Sequence, residues 1–347
     1  MIHVKIGDRN IGDGEPCFII AEAGVNHNGN INLAKKLIDA AKDAGADAVK
    51  FQTFKAENVV IKNAEKAEYQ KTVKEESQYG MLKKLELTEE DFRELADYAK
   101  KDGILFLSSP FDKESVDLLD ELDVPAFKIA SGEMTNFPLL RYIAKKGKPI
   151  ILSTGMSTLG EVEEALNSIR SEGVEEVILL HCISNYPARI EDVNLRAMET
   201  LKQAFQIPVG FSDHTLGITA SIAAAALGAC VIEKHFTLDR NLPGPDHKAS
   251  LEPDELKEMV QAIRDVEKAL GNGVKIPTKD EEEIKRIARR SIVAKVDIPK
   301  GTTITEDMMD AKRPGRGIEP KSIDMIVGEK AKEDIKKDEI VTWKMIE

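Results

Sequence analysis

Short runs of apolar residues recur along the chain, and each run ends in polar or ionisable residues. Near-continuous Val, Ile, Leu and Phe over such lengths is typical of parallel strands that are buried on both faces. Segments with helical periodicity separate the runs, and Ile31–Gly45 and Thr88–Gly103 each close on a glycine suited to a helix C-terminus. This alternation predicts a (β/α)8 barrel. The eight predicted strands are Cys17–Gly24, Ala46–Gln52, Ile104–Pro110, Ala126–Gly132, Pro149–Gly155, Glu176–Cys182, Pro208–His214 and Cys230–Phe236.

Polar side chains gather at the carboxyl ends of these predicted strands. Because such groups are costly inside an apolar core, their position there needs another cause. In barrels of this class the rim formed by the carboxyl ends carries the chemistry, so we predict an active site there. Two rim loops should also present helix amino ends, since Asn136 suits an N-cap and Thr158 with Glu161 suits a capping box. The rim groups are Glu22, Lys50, Ser109, Lys128, Ser131, Ser153, His181, Asp213, His214, Glu233 and His235.

His214 and His235 end the seventh and eighth predicted strands, which are neighbours in a closed barrel. Both imidazoles can therefore reach one point near the axis and bind a divalent ion; the alternative is a hydrogen-bonded structural role for each. Two protein ligands leave positions open for water and substrate oxygens, which suits Mn²⁺, Mg²⁺ or Co²⁺ better than structural zinc. Asp213 and Glu233 are candidates for support of these ligands, either electrostatically or as hydrogen-bond partners behind them.

Lys50 and Lys128 lie within otherwise apolar strands, where an unpaired ammonium is strongly disfavoured. Each lysine therefore needs an anion. One possibility is a buried ion pair with a rim carboxylate such as Glu22. The other is a substrate phosphate or carboxylate, held together with backbone amides at helix amino ends and hydroxyl groups. The hydroxyl groups that suit this role are Ser109, Ser131 and Ser153.

Glu22 is the best candidate for a general acid or base, because a carboxylate beside lysines and a metal can be tuned for proton transfer. Its alternative role is that of a lysine counter-ion. Asn185, Tyr186 and Asp246 lie in predicted loops above the rim and can bind hydroxyl or amide groups. Asn and Asp in loops rich in Pro and Gly are otherwise turn formers.

The chain has 347 residues, more than the roughly 250 of one barrel, so a second small domain is expected. We place the barrel at residues 1–275, a linker rich in Gly, Pro and charge at 276–290, and a domain of short strands and turns at 291–347. Between the second and third strands, Lys55–Leu87 is too long for an ordinary loop and predicts a lid or a wall of the substrate site.

Composition narrows the class of protein further. The net charge is −12, which makes nucleic acid an improbable partner and means that an anionic substrate must be held by local cations. No apolar run is long enough to span a bilayer, and the start of the sequence lacks a secretory signal, so we expect a cytoplasmic protein. The three cysteines, Cys17, Cys182 and Cys230, are predicted to be buried thiols rather than a disulfide.

Seven segments in chain order resemble the motifs of sialic acid synthases: IAEAGVNHNG, ADAVKFQTF, FKIASGE, ILSTGMST, LLHCISNYP, GFSDHT and VIEKHFTLDRNLPGPDH. The end domain, with KRPGRGI, resembles the antifreeze-like (SAF) module of that family. The resemblance implies a transferase that condenses phosphoenolpyruvate with an N-acetylmannosamine-type sugar and water, releasing phosphate by C–O cleavage. The alternative within the family is a legionaminic-type synthase that uses a 2,4-diacetamido-6-deoxy-mannose analogue.

The resemblance also implies roles for the rim residues. A metal ion on His214 and His235, with Mn²⁺ first among the candidates, would polarise the sugar aldehyde, and Glu22 would shuttle protons. Arg313 of the SAF domain would reach the acetamido group of the sugar in the partner's site, because the family forms a domain-swapped homodimer. Phosphoenolpyruvate would be held by Lys50, Lys128, Ser131 and Ser153. The sugar would be contacted by Asn185, Tyr186, Asp246 and Glu233.

The long segment after the second strand bears on the choice of sugar. YQK at Tyr69–Lys71 and QYGMLKKLEL at Gln78–Leu87 resemble the sialic and legionaminic branch rather than the pseudaminic one.

Two other functions are alternatives to the condensation of phosphoenolpyruvate with a sugar. A metal-dependent pyruvate aldolase on the same barrel would use similar rim residues but release no phosphate. A carbohydrate-binding or ice-binding protein would account for the SAF domain but not for the lysines and histidines at the strand ends.

Overall fold

The computed structural model describes residues 2–67, 70 and 77–347. They form two compact units, Met1–Gly271 and Asn272–Glu347. The first unit is built around an eight-stranded parallel sheet, and every predicted strand is present. The strands are β3 (Phe18–Gly24), β4 (Ala48–Thr53), β5 (Leu105–Pro110), β6 (Phe127–Ile129), β7 (Ile150–Ser153), β8 (Val177–Cys182), β9 (Val209–Asp213) and β10 (Val231–His235).

The sheet closes into a barrel, which confirms the predicted fold class. Its hydrogen-bonded order is β5-β4-β3-β10-β9-β8-β7-β6, and the two end strands, β5 and β6, also lie against each other. The first predicted strand therefore pairs with the eighth: in the register of β3 and β10, Glu22 lies opposite His235.

Helices cover the outside of the barrel. Asn136 caps one of them, and Thr158 forms a capping box with Glu161 in another, both as predicted. The helices of this unit are α1 (Ile31–Asp43), α2 (Ala56–Val59), α3 (Gln78–Leu85), α4 (Glu89–Asp102), α5 (Lys113–Glu121), α6 (Phe137–Ala144), α7 (Leu159–Arg170), α8 (Ala197–Phe205), α9 (Thr219–Ala226) and α10 (Pro253–Leu270). Short 3-10 turns occur at Ser131–Glu133, Ile190–Asp192 and His247–Ala249.

An antiparallel hairpin that the sequence analysis did not predict precedes the barrel. Its strands are β1 (His3–Ile6) and β2 (Arg9–Gly12). Val4, Ile6 and Ile11 are buried in one apolar cluster with the inward residues at the amino ends of the barrel strands. The hairpin therefore closes the amino end of the barrel, which leaves the carboxyl end for a site.

Inside the barrel, side chains change from apolar to polar along each strand. On β3, Phe18 and Ile20 belong to the inner apolar cluster, whereas Ile19 and Ala21 pack in the outer cluster under the helices. Because side chains alternate along a strand, the next inward residue of β3 is Glu22. The polar layer thus lies on top of a packed apolar interior.

The segment Lys55–Leu87 contains α2 and α3. Of the two motifs that bear on the choice of sugar, Gln78–Leu87 is described, whereas Tyr69 and Lys71 lie outside the described residues. All three cysteines are buried and free, as predicted. No helix within the described ranges is long and apolar enough to cross a membrane.

The second unit begins with a helix, α11 (Lys279–Ala288), which occupies much of the predicted linker. Two antiparallel strands follow, β11 (Ser291–Ala294) and β12 (Met309–Lys312). A separate core of aliphatic side chains, including Ile292, is buried between them and the turns. The 3-10 turns of this unit are Glu306–Met308, Pro320–Met325 and Trp343–Met345.

Candidate active site

A cavity of about 410 Å³ opens among the carboxyl ends of the barrel strands. Alternation along the strands explains its lining, since inward positions at the strand ends carry polar side chains over an apolar interior. Ten residues predicted from the sequence line it: Glu22, Lys50, Ser109, Lys128, Ser131, Ser153, Tyr186, His214, Glu233 and His235. The structure therefore brings together most of the predicted site.

Four charged groups form the floor of the cavity: Glu22, Lys50, Lys128 and Glu233. Each is at most 5% exposed. Lys50 Nζ lies 2.8 Å from Glu22 Oε2 and 3.7 Å from Glu233 Oε2. Lys128 Nζ lies 3.5 Å from Glu233 Oε1. The ion pair with a rim carboxylate that the sequence analysis kept as an alternative is thus present for both lysines. We call these four groups the charged floor.

The two lysines differ in how well their charge is compensated. Burial opposes the charge of Lys50, but Glu22 and Glu233 together hold the pKa of Lys50 above its ordinary value. Burial lowers the pKa of Lys128, and Glu233 offsets this only in part. Lys128 is therefore the group whose ammonium would gain most from an additional anion.

The two carboxylates of the charged floor also differ. Burial raises the pKa of Glu22 to about 7, despite the opposing effect of Lys50. Burial acts in the same direction on Glu233, but Lys128 and Lys50 hold the pKa of Glu233 below its usual range. Glu22 can therefore exchange a proton near neutral pH, whereas Glu233 stays ionised.

Hydroxyl groups surround the two lysines. Lys128 Nζ donates to Ser153 Oγ at 2.8 Å, and Lys50 Nζ donates to Ser109 Oγ at 3.2 Å. Ser131 Oγ accepts from the backbone N–H of Gly155 at 3.0 Å. A Cβ on Gly155 would lie 2.2 Å from Ser184 Oγ and 2.7 Å from Ser131 Oγ, so a side chain there would displace these hydroxyls. The lysines, hydroxyls and amide form a pocket suited to a small anion.

The two histidines lie side by side at the mouth, with ring centroids 5.4 Å apart. His214 Nδ1 donates to the carbonyl oxygen of Ile183 at 2.8 Å, because a carbonyl only accepts, so Nε2 carries the lone pair whenever this ring is neutral. Burial opposes its charge, but Cys182 and this carbonyl raise the pKa of His214 above its ordinary value. His235 Nδ1 is buried without a hydrogen-bond partner among the described residues. Burial and the neighbouring His214 and lysines lower the pKa of His235 well below its ordinary value, so this ring is neutral.

These two rings are the only imidazoles that line the cavity within the described part of the chain. No group of three or more His, Cys, Asp or Glu side chains in the same ranges is arranged to hold a metal ion. Two imidazoles fit a divalent ion that takes its remaining ligands from water and substrate oxygens.

The three loop residues predicted to contact the sugar, Tyr186, Asp246 and Asn185, differ in their position relative to His214 and the cavity. The ring of Tyr186 stacks at a tilt on His214, with centroids 4.1 Å apart. Asp246 is buried within electrostatic reach of His214, and burial raises the pKa of Asp246 to about 6. Asn185 is exposed and its Oδ1 accepts from the backbone N–H of Tyr186, so it does not line the cavity. Arg313 is exposed on the second unit.

Two rim residues named in the sequence analysis face away from the cavity. His181 contacts the carbonyl oxygen of Val193 at 2.7 Å, and Asp213 pairs with Lys234. Both occupy outward positions, because each immediately precedes or follows an inward residue of its strand. Any support that Asp213 gives to the metal ligands therefore comes from the outer face of the barrel.

The structure adds cavity residues that the sequence analysis did not name. Gln52 Nε2 donates to Glu22 Oε1 at 3.3 Å, and Ser212 Oγ donates to Glu233 Oε1 at 2.9 Å. Both lie two residues from a predicted site residue on the same strand, Lys50 and His214. Counting by two along each strand from the ionisable residues would have found them.

Models of two families match the chain: the NeuB family over residues 37–275 and the SAF domain over residues 289–347. The chain is 55% identical over 328 residues to the N,N'-diacetyllegionaminic acid synthase of Campylobacter jejuni, covering 93% of this chain and 98% of that protein. It is 51% identical over 342 residues to the N,N'-diacetyllegionaminic acid synthase of Legionella pneumophila, covering 97% and 96%. The crystal structure of the N-acetylneuraminic acid (sialic acid) synthetase from Leptospira borgpetersenii in complex with citrate is similar at a TM-score of 0.74 and 38% identity, covering 82% of this chain and 95% of that one.

Proposed function

The chain belongs to the NeuB family, and we propose on that premise that it is a transferase that condenses phosphoenolpyruvate with an N-acetylmannosamine-type sugar and water. The products are a nonulosonic acid and inorganic phosphate. The charged floor carries this proposal, because two buried lysines ringed by hydroxyls below two histidines suit an anionic substrate that meets an aldehyde. Among such sugars we favour a 2,4-diacetamido-6-deoxy-mannose analogue, because the identity to two N,N'-diacetyllegionaminic acid synthases is 55% and 51%.

Phosphoenolpyruvate would be held at the charged floor. The ammonium groups of Lys50 and Lys128 would bind its phosphate and carboxylate, since charge-assisted hydrogen bonds to such groups are strong. Ser109, Ser131 and Ser153 would donate further hydrogen bonds. The depressed pKa of Lys128 supports this role, because an arriving dianion would supply the compensation that Glu233 provides only in part.

A divalent ion would be held by His214 and His235, for which the free lone pair of His214 and the unpartnered Nδ1 of His235 are the support. When bound, the ion would act as a Lewis acid that polarises the aldehyde of the open-chain sugar. We propose Mn²⁺, with Mg²⁺ or Co²⁺ as alternatives, since two imidazoles with several open oxygen positions suit these ions.

Glu22 would move the protons of the reaction. Attack of C3 of phosphoenolpyruvate on the aldehyde carbon leaves positive charge at C2, and water adds there once a base accepts its proton. The resulting tetrahedral intermediate loses phosphate when the C2–O bond breaks and its C2 hydroxyl becomes the carbonyl. The hydroxyl proton goes to the alkoxide left by the aldehyde, and the leaving phosphate oxygen takes the proton that the base removed from water. A carboxyl with a pKa of about 7, buried beside Lys50, can accept the proton from water and return it to the leaving phosphate.

The sugar would lie above the floor, near Tyr186, Asp246 and Glu233, with Asn185 in the adjacent loop. We further propose that Arg313 contacts the acetamido group from the partner of a domain-swapped homodimer. We also infer a cytoplasmic location, since phosphoenolpyruvate is a cytoplasmic metabolite and all three thiols are free and buried.

Isotope labelling tests the reaction directly. The purified protein is incubated with Mn²⁺, the amino sugar and phosphoenolpyruvate carrying ¹⁸O in the oxygen that bridges C2 and phosphorus. The proposal predicts that the label leaves with phosphate and that the C2 oxygen of the product comes from water. Retention of the label in the sugar acid would overturn C–O cleavage, and turnover with pyruvate but not phosphoenolpyruvate would favour the aldolase.

A further inference from the structure

The loop that follows β12 in the second unit, residues 313–317, is fixed at both of its ends. Before the loop, Lys312 pairs with Ser291 in the register of β12 and β11. After the loop, the carbonyl oxygen of Ile318 accepts from the backbone N–H of Ile292 at 2.8 Å. Both ends are therefore anchored to two consecutive residues of β11. We call this segment the arginine loop.

The side chain of Ser291 bridges the arginine loop internally. Ser291 Oγ donates to the carbonyl oxygen of Pro314 at 2.7 Å and accepts from the backbone N–H of Gly317 at 2.7 Å. Ser291 is fully buried. Because water cannot replace a buried hydroxyl without rearrangement, its removal would deprive two backbone groups of their partner. One side chain thus fixes the distance between the beginning and the end of the loop.

Helix α11 also contacts the arginine loop. The backbone N–H of Gly315 donates to the carbonyl oxygen of Arg286, in the last turn of the helix, at 3.0 Å. A Cβ on Gly315 would lie 2.8 Å from the Cβ of Arg289, and a Cβ on Gly317 would lie 2.3 Å from the side chain of Ile340. A side chain at either glycine would displace its neighbours. The backbone of the loop is therefore closely packed as well as hydrogen bonded.

The side chain of Arg313 contrasts with this fixed backbone. It is exposed and makes no hydrogen bond or ion pair with the residues that the structure describes. The preceding residue, Lys312, is instead paired with Asp338. A guanidinium offers five donors in a planar fork. A fixed backbone presents these donors to a ligand at a low entropic cost, because only the side chain must be ordered on binding.

We propose that Ser291 is a positioning residue that holds the arginine loop in the conformation in which Arg313 binds the acetamido group of the sugar. This inference rests on the proposed function, which supplies the role of Arg313. Ser291 acts through the loop and does not contact substrate, since its buried hydroxyl is engaged by two backbone groups of the loop.

Steady-state kinetics of Ser291→Ala in the full-length protein test the proposal, with phosphate release as the readout. Without the bridging hydroxyl, the loop should sample several conformations, and Arg313 should be misplaced in most of them. We expect kcat/KM for the sugar to fall about 10- to 100-fold, mainly through a higher KM. The KM for phosphoenolpyruvate should not change, because the charged floor belongs to the other unit.

The same substitution in an Arg313→Ala background separates positioning from a structural role. If Ser291 acts through Arg313, Ser291→Ala should change the residual kcat/KM of Arg313→Ala by less than about 2-fold, because there is no guanidinium left to position. If Ser291 only stabilises the domain, the same factor should be lost in both backgrounds. Residual turnover is followed at high protein concentration.

Two further variants complete the design. Gly315→Ala disturbs the contact between the arginine loop and α11, and should give the same pattern as Ser291→Ala by an independent route. Ile304→Val is the matched control for stability. Ile304 is fully buried in the apolar core of the same unit, so loss of a methylene group should lower the thermal midpoint without changing the KM for the sugar.

The outcomes separate this inference from the proposed function. Absence of phosphate release by the unaltered protein would overturn the proposed function, and full activity of Arg313→Ala would overturn the proposed contact together with this inference. Low activity of Arg313→Ala with normal sugar kinetics in Ser291→Ala and Gly315→Ala would overturn only the positioning role. Equal losses in both backgrounds, or a parallel rise in KM in Ile304→Val, would limit Ser291 to a structural role.

Discussion

Lys234 Nζ and Asp213 Oδ2 form an ion pair at 2.9 Å on the outer face of the barrel, where both side chains are fully buried. Each residue immediately precedes a histidine of the candidate site, and the two lie opposite each other in the register of β9 and β10. Lys234 also donates to the carbonyl oxygen of Thr215, while Asp213 accepts from Ser221. The pair therefore ties together the two strands that carry His214 and His235.

We predict that this outer pair positions the histidines. Lys234→Met leaves the carboxylate of Asp213 buried without its partner, which should lower the free energy of unfolding by about 3 to 5 kcal/mol. Where the variant folds, loss of an outer contact should weaken Mn²⁺ binding about 10- to 100-fold. Calorimetric titration with Mn²⁺ measures this. Unchanged Mn²⁺ affinity in both Lys234→Met and the milder Asp213→Asn would limit the pair to a structural role.

His214 and His235 should each be required for Mn²⁺ binding. Replacement of either by Ala removes one of two nitrogen donors, so we expect loss of measurable Mn²⁺ binding and of activity. His181→Gln is the matched control, because His181 is a rim histidine that faces outward and does not line the cavity. Equal loss of Mn²⁺ binding in His181→Gln, or turnover by His214→Ala in the presence of chelator, would contradict the assignment.

Lys128 should contribute more to the binding of phosphoenolpyruvate than to the stability of the fold. The charge of Lys128 is only partly compensated by Glu233, whereas Lys50→Met leaves the buried carboxylate of Glu22 without its ion-pair partner. Lys128→Met should therefore lower the stability of the fold less than Lys50→Met. Loss of a charged hydrogen bond to substrate costs about 2 to 5 kcal/mol, so the KM for phosphoenolpyruvate should rise 30-fold or more. Steady-state kinetics with both substrates varied will show this. A parallel rise in the KM for the sugar would argue for a general disturbance of the site.

Stability should fall in mild acid because of His27. This ring is buried, its Nδ1 accepts from the backbone N–H of Gly29, and burial lowers the pKa of His27 from 6.5 to about 4. As the pH falls below 6.5, the unfolded chain binds a proton that the folded protein does not, so stability is lost. Between pH 7 and 5 the loss from His27 should be about 2 kcal/mol.

Urea denaturation at the two pH values measures this loss. His27→Asn should flatten the dependence, whereas His3→Asn should not, because His3 is exposed. An unchanged slope in His27→Asn would mean that His27 takes up its proton equally in the folded and unfolded states.

The barrel and its polar layer could be predicted because each strand is a continuous apolar run that ends in ionisable residues. Alternation along the strands accounts for the inward positions of Lys50 and His235. The same argument, applied residue by residue, would have placed Asp213 outward, since it stands next to His214. The pattern does not contain tertiary information: Asp246 comes within electrostatic reach of His214 through a loop whose path depends on packing. Whether Lys50 pairs with Glu22 or with a substrate was likewise undecidable from spacing, because both anions lie within its reach.

Arg313 should act across a dimer interface, and complementation between two inactive proteins tests it. Arg313→Ala lacks the proposed contact to the acetamido group, and Glu22→Gln lacks the proton shuttle; each should be nearly inactive alone. In a swapped hybrid dimer, one composite site receives intact Glu22 from one chain and intact Arg313 from the other. Random exchange makes about half of the dimers hybrid, each with one working site of two, so activity should recover to roughly a quarter of wild type.

Exchange must be demonstrated separately, for example with differently tagged chains recovered together by affinity purification. A mixture of Arg313→Ala and Arg316→Ala provides the control. Arg316 is exposed on the same loop, so the Arg316→Ala protein should be active alone. Recovery that follows the fraction of hybrid dimers would support action in trans. If hybrids form and activity stays at the level of the separate variants, or a verified monomer is fully active, Arg313 either serves its own chain or takes no part in the reaction.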